Sequence, residues 1–482
     1  MSRFSTLLSG YISSQNVKIA SLAAFCQYDR ATLYRIVKGQ RQPTGLEQVR
    51  QFSRFFNLSP TESDELVEAY YEQLYGAESY RSHRNVMDFL LSFSEFINTA
   101  PYRLNISVDF TNANPIIDAP CTVLKSSGAL TNALIYAFGQ EAALPDGEVM
   151  IAVQPGARSV FSVLEQVDRS HNLKITHLIC LDNTGNRLDA NIDALSCTLT
   201  TLSKHRNYTC SYYYDDTASR FDDYSLLPYL VITSDMAISF NASGTAGFCY
   251  RFPEAVEIFR SFFLKLAASA TLLHHRIETI FEEIAFFQAR GATSREFHCI
   301  DAVPCILAFI PPHILGRVVM EDNPLREDGL KMIAAYLQNI HTLFTKTDSG
   351  CYFTQEGLAN FARTGRSPEV PSAFYRPLTP TERAQVLRTM LSFVKSGQFR
   401  IMKNPLSACS PNFFVDIFED SLSFTYTDQD SLFISSLSEP GLIGQFMDFF
   451  THLGNYGYLY SNEEAAAIVE NQINALLKMK NA

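Results

Sequence analysis

The sequence predicts a multidomain protein, an all-α N-terminal head followed by a two-lobed α/β body with mainly parallel or mixed sheets. Three observations predict it. Residues 1–58 read as a series of short helices. From about residue 120 to 290, apolar strands alternate with amphipathic helices, the pattern of a sheet covered on both faces. The last third repeats markers of that middle section.

At 482 residues the chain has room for about three ordinary domains. A hydrophobic content of 46% supplies packed cores and argues against disorder. The expected division is a head over 1–60 and a helical connector over 61–115. A first α/β lobe over 116–290, ending in a long helix, and a second over 291–482 follow.

The formal net charge of -11 is unevenly spread. Residues 1–60 carry eight Lys or Arg against two acids, net +6, whereas the other 422 residues carry 31 bases and 48 acids, net -17. A small basic head on a large acidic body suits contact with a polyanion through one end only. The ten cysteines form no CxxC pair, and His298-Cys299 with Cys305 lacks a fourth ligand at a zinc spacing. No metal is expected, and the thiols read as core residues in a reducing cytoplasm. No run reaches about 18 apolar residues, so no membrane contact is expected.

In the head, Phe4, Leu7, Leu8, Tyr11 and Ile12 recur at helical spacing, as do Leu22, Ala23 and Cys26. Leu33, Ile36 and Val37 form a third stripe, broken at Gly39 and stopped by Pro43. Leu46, Val49, Phe52, Ser53 and Phe56 form a fourth. Ser59-Pro60-Thr61-Glu62 is a capping box that opens a helix reaching about Tyr75 and ending at Gly76.

In the body, helices are expected at Gly128–Phe138, Arg158–Asp168 and Ile192–Lys204, and strands at Glu148–Val153, Lys174–Leu181 and Tyr208–Tyr214. Short strands follow at Tyr229–Thr233, Ala237–Phe240 and Gly247–Tyr250, then one long helix from Pro253 to about Phe287, with His274-His275 on its wet face. Pro253-x5-Phe-x2-Phe-Phe is echoed by the same pattern from Pro440, and Lys204-x3-Tyr208 by Lys395-x3-Phe399. Asp235 and Asp420 occupy similar places. Two related lobes are the expectation.

The segment from Leu22 to Pro43 has its own physical logic. Ala23 permits two short helices to cross closely, while Leu22, Leu33, Ile36 and Val37 supply their core. Asp29 can cap the second helix, and Gly39 can take the left-handed conformation that ends it. With positions 33, 36 and 37 inward, the outward face presents Arg30, Ala31, Tyr34, Arg35 and Lys38.

On these residues, the segment 5–58 resembles a lambda-repressor-like (XRE-type) helix-turn-helix domain, a class that docks a short helix in the major groove. The Leu22-Ala23 start, the capped second helix and the Gly39-x-Arg41-x-Pro43 close match in register. The resemblance implies base reading by Arg30, Ala31, Tyr34 and Arg35, with Lys38, Gln40 and Arg41 near phosphates. One position departs: Ile19 stands where the family often carries a phosphate-touching Gln, and Lys18 is the candidate replacement. The resemblance covers about one eighth of the chain.

No P-loop, dinucleotide glycine cluster, HExxH or GxSxG occurs. Asn241–Gly247 reads as a turn, and Tyr212–Asp216 as a strand end able to line a polar pocket. The doubled lobe is similar in outline to the phospholipase D-like fold, in which each half supplies a His-x-Lys pair. Neither Tyr208–Tyr214 nor Phe399–Lys403 contains a His, and no His-x-Lys occurs, so the resemblance implies an inert copy.

The expectation is therefore a cytoplasmic, homodimeric transcriptional regulator of double-stranded DNA, not an enzyme and without cofactor. Its body takes a small-molecule or peptide ligand or a partner protein. The alternative is an enzyme or defence effector whose catalytic body is targeted or autoregulated by the head; a pure interaction scaffold is the third reading.

Overall fold

The computed structural model describes residues 2–98, 119–167, 173–183, 188–221, 226–318, 326–346, 349–367, 375–428 and 431–479. The last part of the expected connector, 99–115, lies outside these residues. Four successive helices in the head, α1 (Arg3–Ser14), α2 (Ile19–Phe25), α3 (Arg30–Val37) and α4 (Leu46–Phe55), close in the same way. Each is followed by a left-handed residue: Asn16, Gln27, Gly39 and Asn57, with φ of 51°, 56°, 69° and 49°. The next amide then bonds back into the last turn: Val17 to the Ile12 carbonyl, Tyr28 to Ala23, Gln40 to Arg35 and Leu58 to Ser53, at 2.8–3.0 Å. This closure satisfies carbonyls that a short helix otherwise leaves bare.

The expected capping box opens α5 (Pro60–Tyr75), with Ser59 and Glu62 bonded reciprocally. Helix α5 shares the core of the first four: Phe4, Leu8, Leu22, Leu33, Ile36, Val49, Phe52 and Leu66 are all fully buried. With the start of α6 (Ala77–Asn98), they belong to a compact unit comprising Met1–Asp88 and Asp448–Tyr460. The distant segment contributes Tyr456, whose ring lies 4.6 Å from Tyr71 and 5.7 Å from Tyr75.

The second unit, Phe89–Met447 with Ser461–Ala482, holds two mixed sheets. The first contains β1 (Cys121–Leu124), β2 (Glu148–Ala152), β3 (Lys174–Leu181), β4 (Tyr208–Tyr214), β5 (Tyr229–Ile232), β6 (Ala237–Phe240), β7 (Gly247–Tyr250) and β8 (Thr271–Leu272). Their order is β1-β7-β6-β5-β2-β3-β4-β8. Only the β2–β3 and β3–β4 pairs are parallel. Alternate side chains serve the two faces, as strand geometry requires. Val149, Ile151, Ile175 and Ile179 join a core with α7 (Ser127–Ala142), α8 (Arg158–Val167) and α9 (Leu188–Lys204). Met150, Leu178, Ile232 and Ala237 pack on Val256 and Phe263 of α11 (Pro253–Ser269), which follows a short turn of helix, α10 (Thr217–Arg220).

The second sheet contains β9 (His275–Ile277), β10 (Phe297–Ile300), β11 (Gly350–Thr354), β12 (Phe399–Met402), β13 (Phe413–Phe418), β14 (Ser421–Asp428) and β15 (Ser431–Leu437). It runs β12-β11-β10-β13-β14-β15-β9, again with three parallel strands, an antiparallel meander and an edge strand from upstream. Setting β8 aside, this is the order of the first sheet with every strand number raised by eight. The marker residues fall in register: Tyr208 and Phe399 begin β4 and β12, and Pro253 and Pro440 begin α11 and α17 (Pro440–His452). Asp235 and Asp420 occupy the equivalent turns. Helices α12 (Ile280–Thr293), α13 (Pro312–Val318), α14 (Arg326–Phe344), α15 (Gln355–Thr364), α16 (Pro380–Ser396) and α18 (Asn462–Met479) complete this lobe.

The expected single helix from Pro253 to Phe287 is corrected: it is two helices, α11 and α12, separated by β8 and β9. The apolar period on both sides of Ala270 is helical, but Ala270 itself is extended, at φ -84° and ψ 153°. The span between them adds an edge strand to each sheet, β8 beside β4 and β9 beside β15. His274 is accordingly not on a wet face. It is buried, with Nε2 2.7 Å from the Thr198 hydroxyl and Nδ1 3.4 Å from that of Ser435.

Two partly buried acids of the second lobe, Glu283 on α12 and Asp416 on β13, repel one another. Burial, reinforced for Asp416 by the Glu283 charge, pushes both carboxyls above the usual carboxylate range. The folded state thus holds protons that the unfolded chain releases. This contribution to stability is complete below the ordinary carboxylate pKa and is lost as pH rises through the raised folded value. Thermal melts from about pH 5 to about pH 9 should show a smaller alkaline loss of Tm in Asp416→Asn than in wild type; parallel curves would refute this.

Candidate nucleic-acid interface

Helix α3 is set by its two ends and its inner face. At the start, Asp29 Oδ1 accepts from the amides of Ala31 and Thr32, both at 2.9 Å. The Thr32 hydroxyl, followed by the two amides, holds this exposed carboxyl below its ordinary range. A negative cap also complements the helix dipole. At the far end Gly39 turns the chain. Between them Leu33, Ile36 and Val37 face inward, at 0%, 0% and 6% exposure, against a core that includes Leu22 and Ala23 of α2. The turn between α2 and α3 depends on Gln27 in the left-handed region, a conformation that nothing in the residue type announces.

With the inner face committed, Arg30, Tyr34 and Lys38 form one outward row at i, i+4 spacing, and Ala31 and Arg35 the adjacent row. All five are exposed, Tyr34 at 49%. The Lys38 ammonium lies 5.7 Å from the centre of the Tyr34 ring, a cation–π contact that holds both on the same strip. Gln40 and Arg41 follow Gly39 and are exposed, with Arg41 Nη1 3.5 Å from the Thr32 hydroxyl. Lys18, also exposed, is the N-cap residue of α2, and so lies apart from the other seven candidates in the chain.

The charges are sorted as well as exposed. Arg3 pairs with Glu65 and Glu72, and Arg54 with Glu47. Among the described residues Arg30, Arg35 and Lys38 make no ion pair. Exposed pairs of the first kind contribute little to stability, but they neutralise cations that would otherwise spread the positive field. An eight-residue helix is about 12 Å long at 1.5 Å per residue, and a B-DNA major groove about 12 Å wide admits it.

The other candidate stretches are structural. Asn241–Gly247 is the turn between β6 and β7, closed by Asn241 Oδ1 accepting from Thr245 and Ala246 amides at 2.9 and 3.0 Å. Tyr212–Asp216 forms a joint between the lobes. Tyr214 donates its hydroxyl to Glu439, a buried carboxylate that also accepts from the Gly441 and Leu442 amides at the start of α17. Asp215 pairs with Arg220. All ten cysteines are free thiols and only Cys121 is exposed, in line with their reading as core residues.

No protein-family model matches the chain, and no curated protein is similar to it. Among solved structures, that of TrmBL2, an archaeal chromatin protein with a novel mode of DNA binding, aligns with 45% of this chain and 72% of its own at 11% identity. The TM-score of 0.22 is too low for that alignment to carry an argument. Among the described residues, no helix is long and apolar enough to cross a membrane.

The orientation of α3 depends on the turn at Gly39, where an added Cβ would meet the Ser5 hydroxyl at 3.0 Å in a left-handed backbone. Gly39→Ala should therefore destabilise the head by about 1–2 kcal/mol. Gly10, on open surface in α1, provides the contrast: Gly10→Ala should stabilise it by about 0.5–1 kcal/mol. Urea melts followed by helical circular dichroism measure both, and equal effects of the two substitutions would contradict the assigned closure.

Proposed function

We propose that the chain is a DNA-binding transcriptional regulator that reads the major groove with α3. It acts in the cytoplasm as a homodimer, and its two-lobed body takes a small-molecule or peptide ligand or a partner protein instead of catalysing a reaction. The observation that carries the DNA reading is the exposed strip of Arg30, Tyr34, Arg35 and Lys38 on a helix whose opposite face is locked in a core. Arg30 and Arg35 reach base edges, Ala31 and Tyr34 fill the groove beside them, and Lys38, Gln40, Arg41 and Lys18 neutralise phosphates. One short helix touches few base pairs, so two copies on half-sites about one helical turn apart are needed for useful specificity. The exposed apolar residues Ile258, Phe262 and Leu264 on α11 support the dimer. His177 and His274 of the body are buried with both ring nitrogens hydrogen-bonded inside the fold, which supports a non-catalytic body.

Fluorescence anisotropy tests the DNA reading, with one duplex from the region upstream of the protein's own coding sequence and one of scrambled sequence. Arg30→Ala with Arg35→Ala should weaken the first by about 1–3 kcal/mol per arginine and bring it towards the second. Lys38→Ala should weaken both alike and reduce the salt slope by about one. Equal binding of wild type and the double variant to both duplexes would remove base reading by α3.

A further inference from the structure

Three metal-ligating side chains meet inside the helical unit, although no sequence motif joins them. His83 comes from α6, while Asp448 and His452 stand four residues apart on one face at the end of α17. His83 Nε2 lies 2.7 Å from Asp448 Oδ2, and His452 Nδ1 lies 3.2 Å from Asp448 Oδ1. One ligand atom from each residue falls within 4.8 Å of the other two. The two imidazole rings stack at 5.6 Å with 29° between their planes, and the ring of Tyr75 meets both edge-on at 5.5 and 5.0 Å.

We propose that His83, Asp448 and His452 bind one divalent cation of the zinc type, which clasps α6 to the end of α17. Two imidazole nitrogens and a carboxylate oxygen suit a borderline transition ion; calcium and magnesium favour oxygen donors. Zinc holds tetrahedral ligands at about 2.0–2.1 Å, which places neighbouring ligand atoms roughly 3.3 Å apart. The observed 2.7 and 3.2 Å separations are within reach of that spacing by small side-chain shifts. The remaining nitrogen of His83, Nδ1, lies 2.6 Å from the Tyr456 hydroxyl, the outer hydrogen bond that fixes the ring of a metal-bound histidine. The site is anchored from within and open without: the His83 side chain is 2% exposed, Asp448 44% and His452 35%. A solvent molecule can therefore complete the coordination. Binding shifts the proton of neutral His83 from Nε2 to Nδ1, where it is donated to the Tyr456 hydroxyl, and moves that of His452 from Nδ1, which lies 2.8 Å from the Asp448 carbonyl, to Nε2. An ion held only by the folded chain stabilises it by mass action. This inference is independent of DNA binding.

Cobalt(II) titration of the full chain, stripped with chelator, provides the test. Wild type should bind one equivalent with the visible d–d bands of a tetrahedral nitrogen–oxygen site, bleached by one equivalent of zinc. The exposed positions allow mild variants: Asp448→Asn and His452→Ala should each lose at least tenfold in affinity while keeping the helical circular dichroism of the wild type. Tyr456→Phe should lose about 10- to 100-fold. Absence of d–d bands in wild type overturns the proposal, as does undiminished binding in Asp448→Asn and His452→Ala. Sulfur-to-cobalt charge-transfer bands would also overturn it, by moving the ion to the buried Cys299–Asp301–Cys351 group.

Discussion

The inner face of α3, where Leu33, Ile36 and Val37 lie against a core shared with Leu22, Ala23 and Phe4, is the contact on which the head depends. A helix of eight residues does not persist alone in water, because its few hydrogen bonds cannot offset the cost of nucleation. It exists only while packed, and packing fixes its rotation about its own axis. Once three positions turn inward, Arg30, Tyr34, Arg35 and Lys38 have nowhere to point except outward. Asp29 and Gly39 then satisfy the ends without using any side chain of that strip. The exposed cationic surface follows from how the apolar residues are buried.

A different constraint organises the body. Each sheet leaves an edge that would pair with a foreign strand if it stayed bare. The seven-residue span Thr271–Ile277 covers one edge of each sheet in turn, and His274 between the two strands is buried by doing so. The Thr198 hydroxyl donates to the Ala194 carbonyl and therefore accepts from His274 Nε2, which fixes the tautomer. Burial pushes His274 down to about 3, so it stays uncharged between the lobes. Arg276, on the second strand, donates to the Leu202 and His205 carbonyls and lies over the Phe433 ring, tying the same span to both lobes.

Duplication explains why the body was partly legible. The markers at Lys204 and Lys395, at Pro253 and Pro440, and at Asp235 and Asp420 all lie at ends of elements, where local chemistry dictates the residue. Strand order is different in kind. β2 lies between β3 and β5, and β10 between β11 and β13, through pairings that no local pattern encodes. The break at Ala270 was hidden for a related reason: Thr271–Ile277 contains neither Gly nor Pro, and only the waiting sheet edges make it extended. His83 and Asp448 are separated by 365 positions, so the only trace of their cluster in the chain is the i, i+4 spacing of Asp448 and His452.

By itself the sequence determined the helical head, its net positive charge, the cap at Asp29, the turn at Gly39 and the six strands β2 to β7 of the first lobe, because each follows from side-chain period, capping chemistry or turn preference within a few residues. Tertiary structure alone decided which edges Thr271–Ile277 would cover, where His274 would lie, how Tyr214 would meet Glu439, and that α6 would face the end of α17. Those outcomes depend on surfaces brought together from distant parts of the chain, where the free energy comes from burying one face against another and not from any residue's own preference.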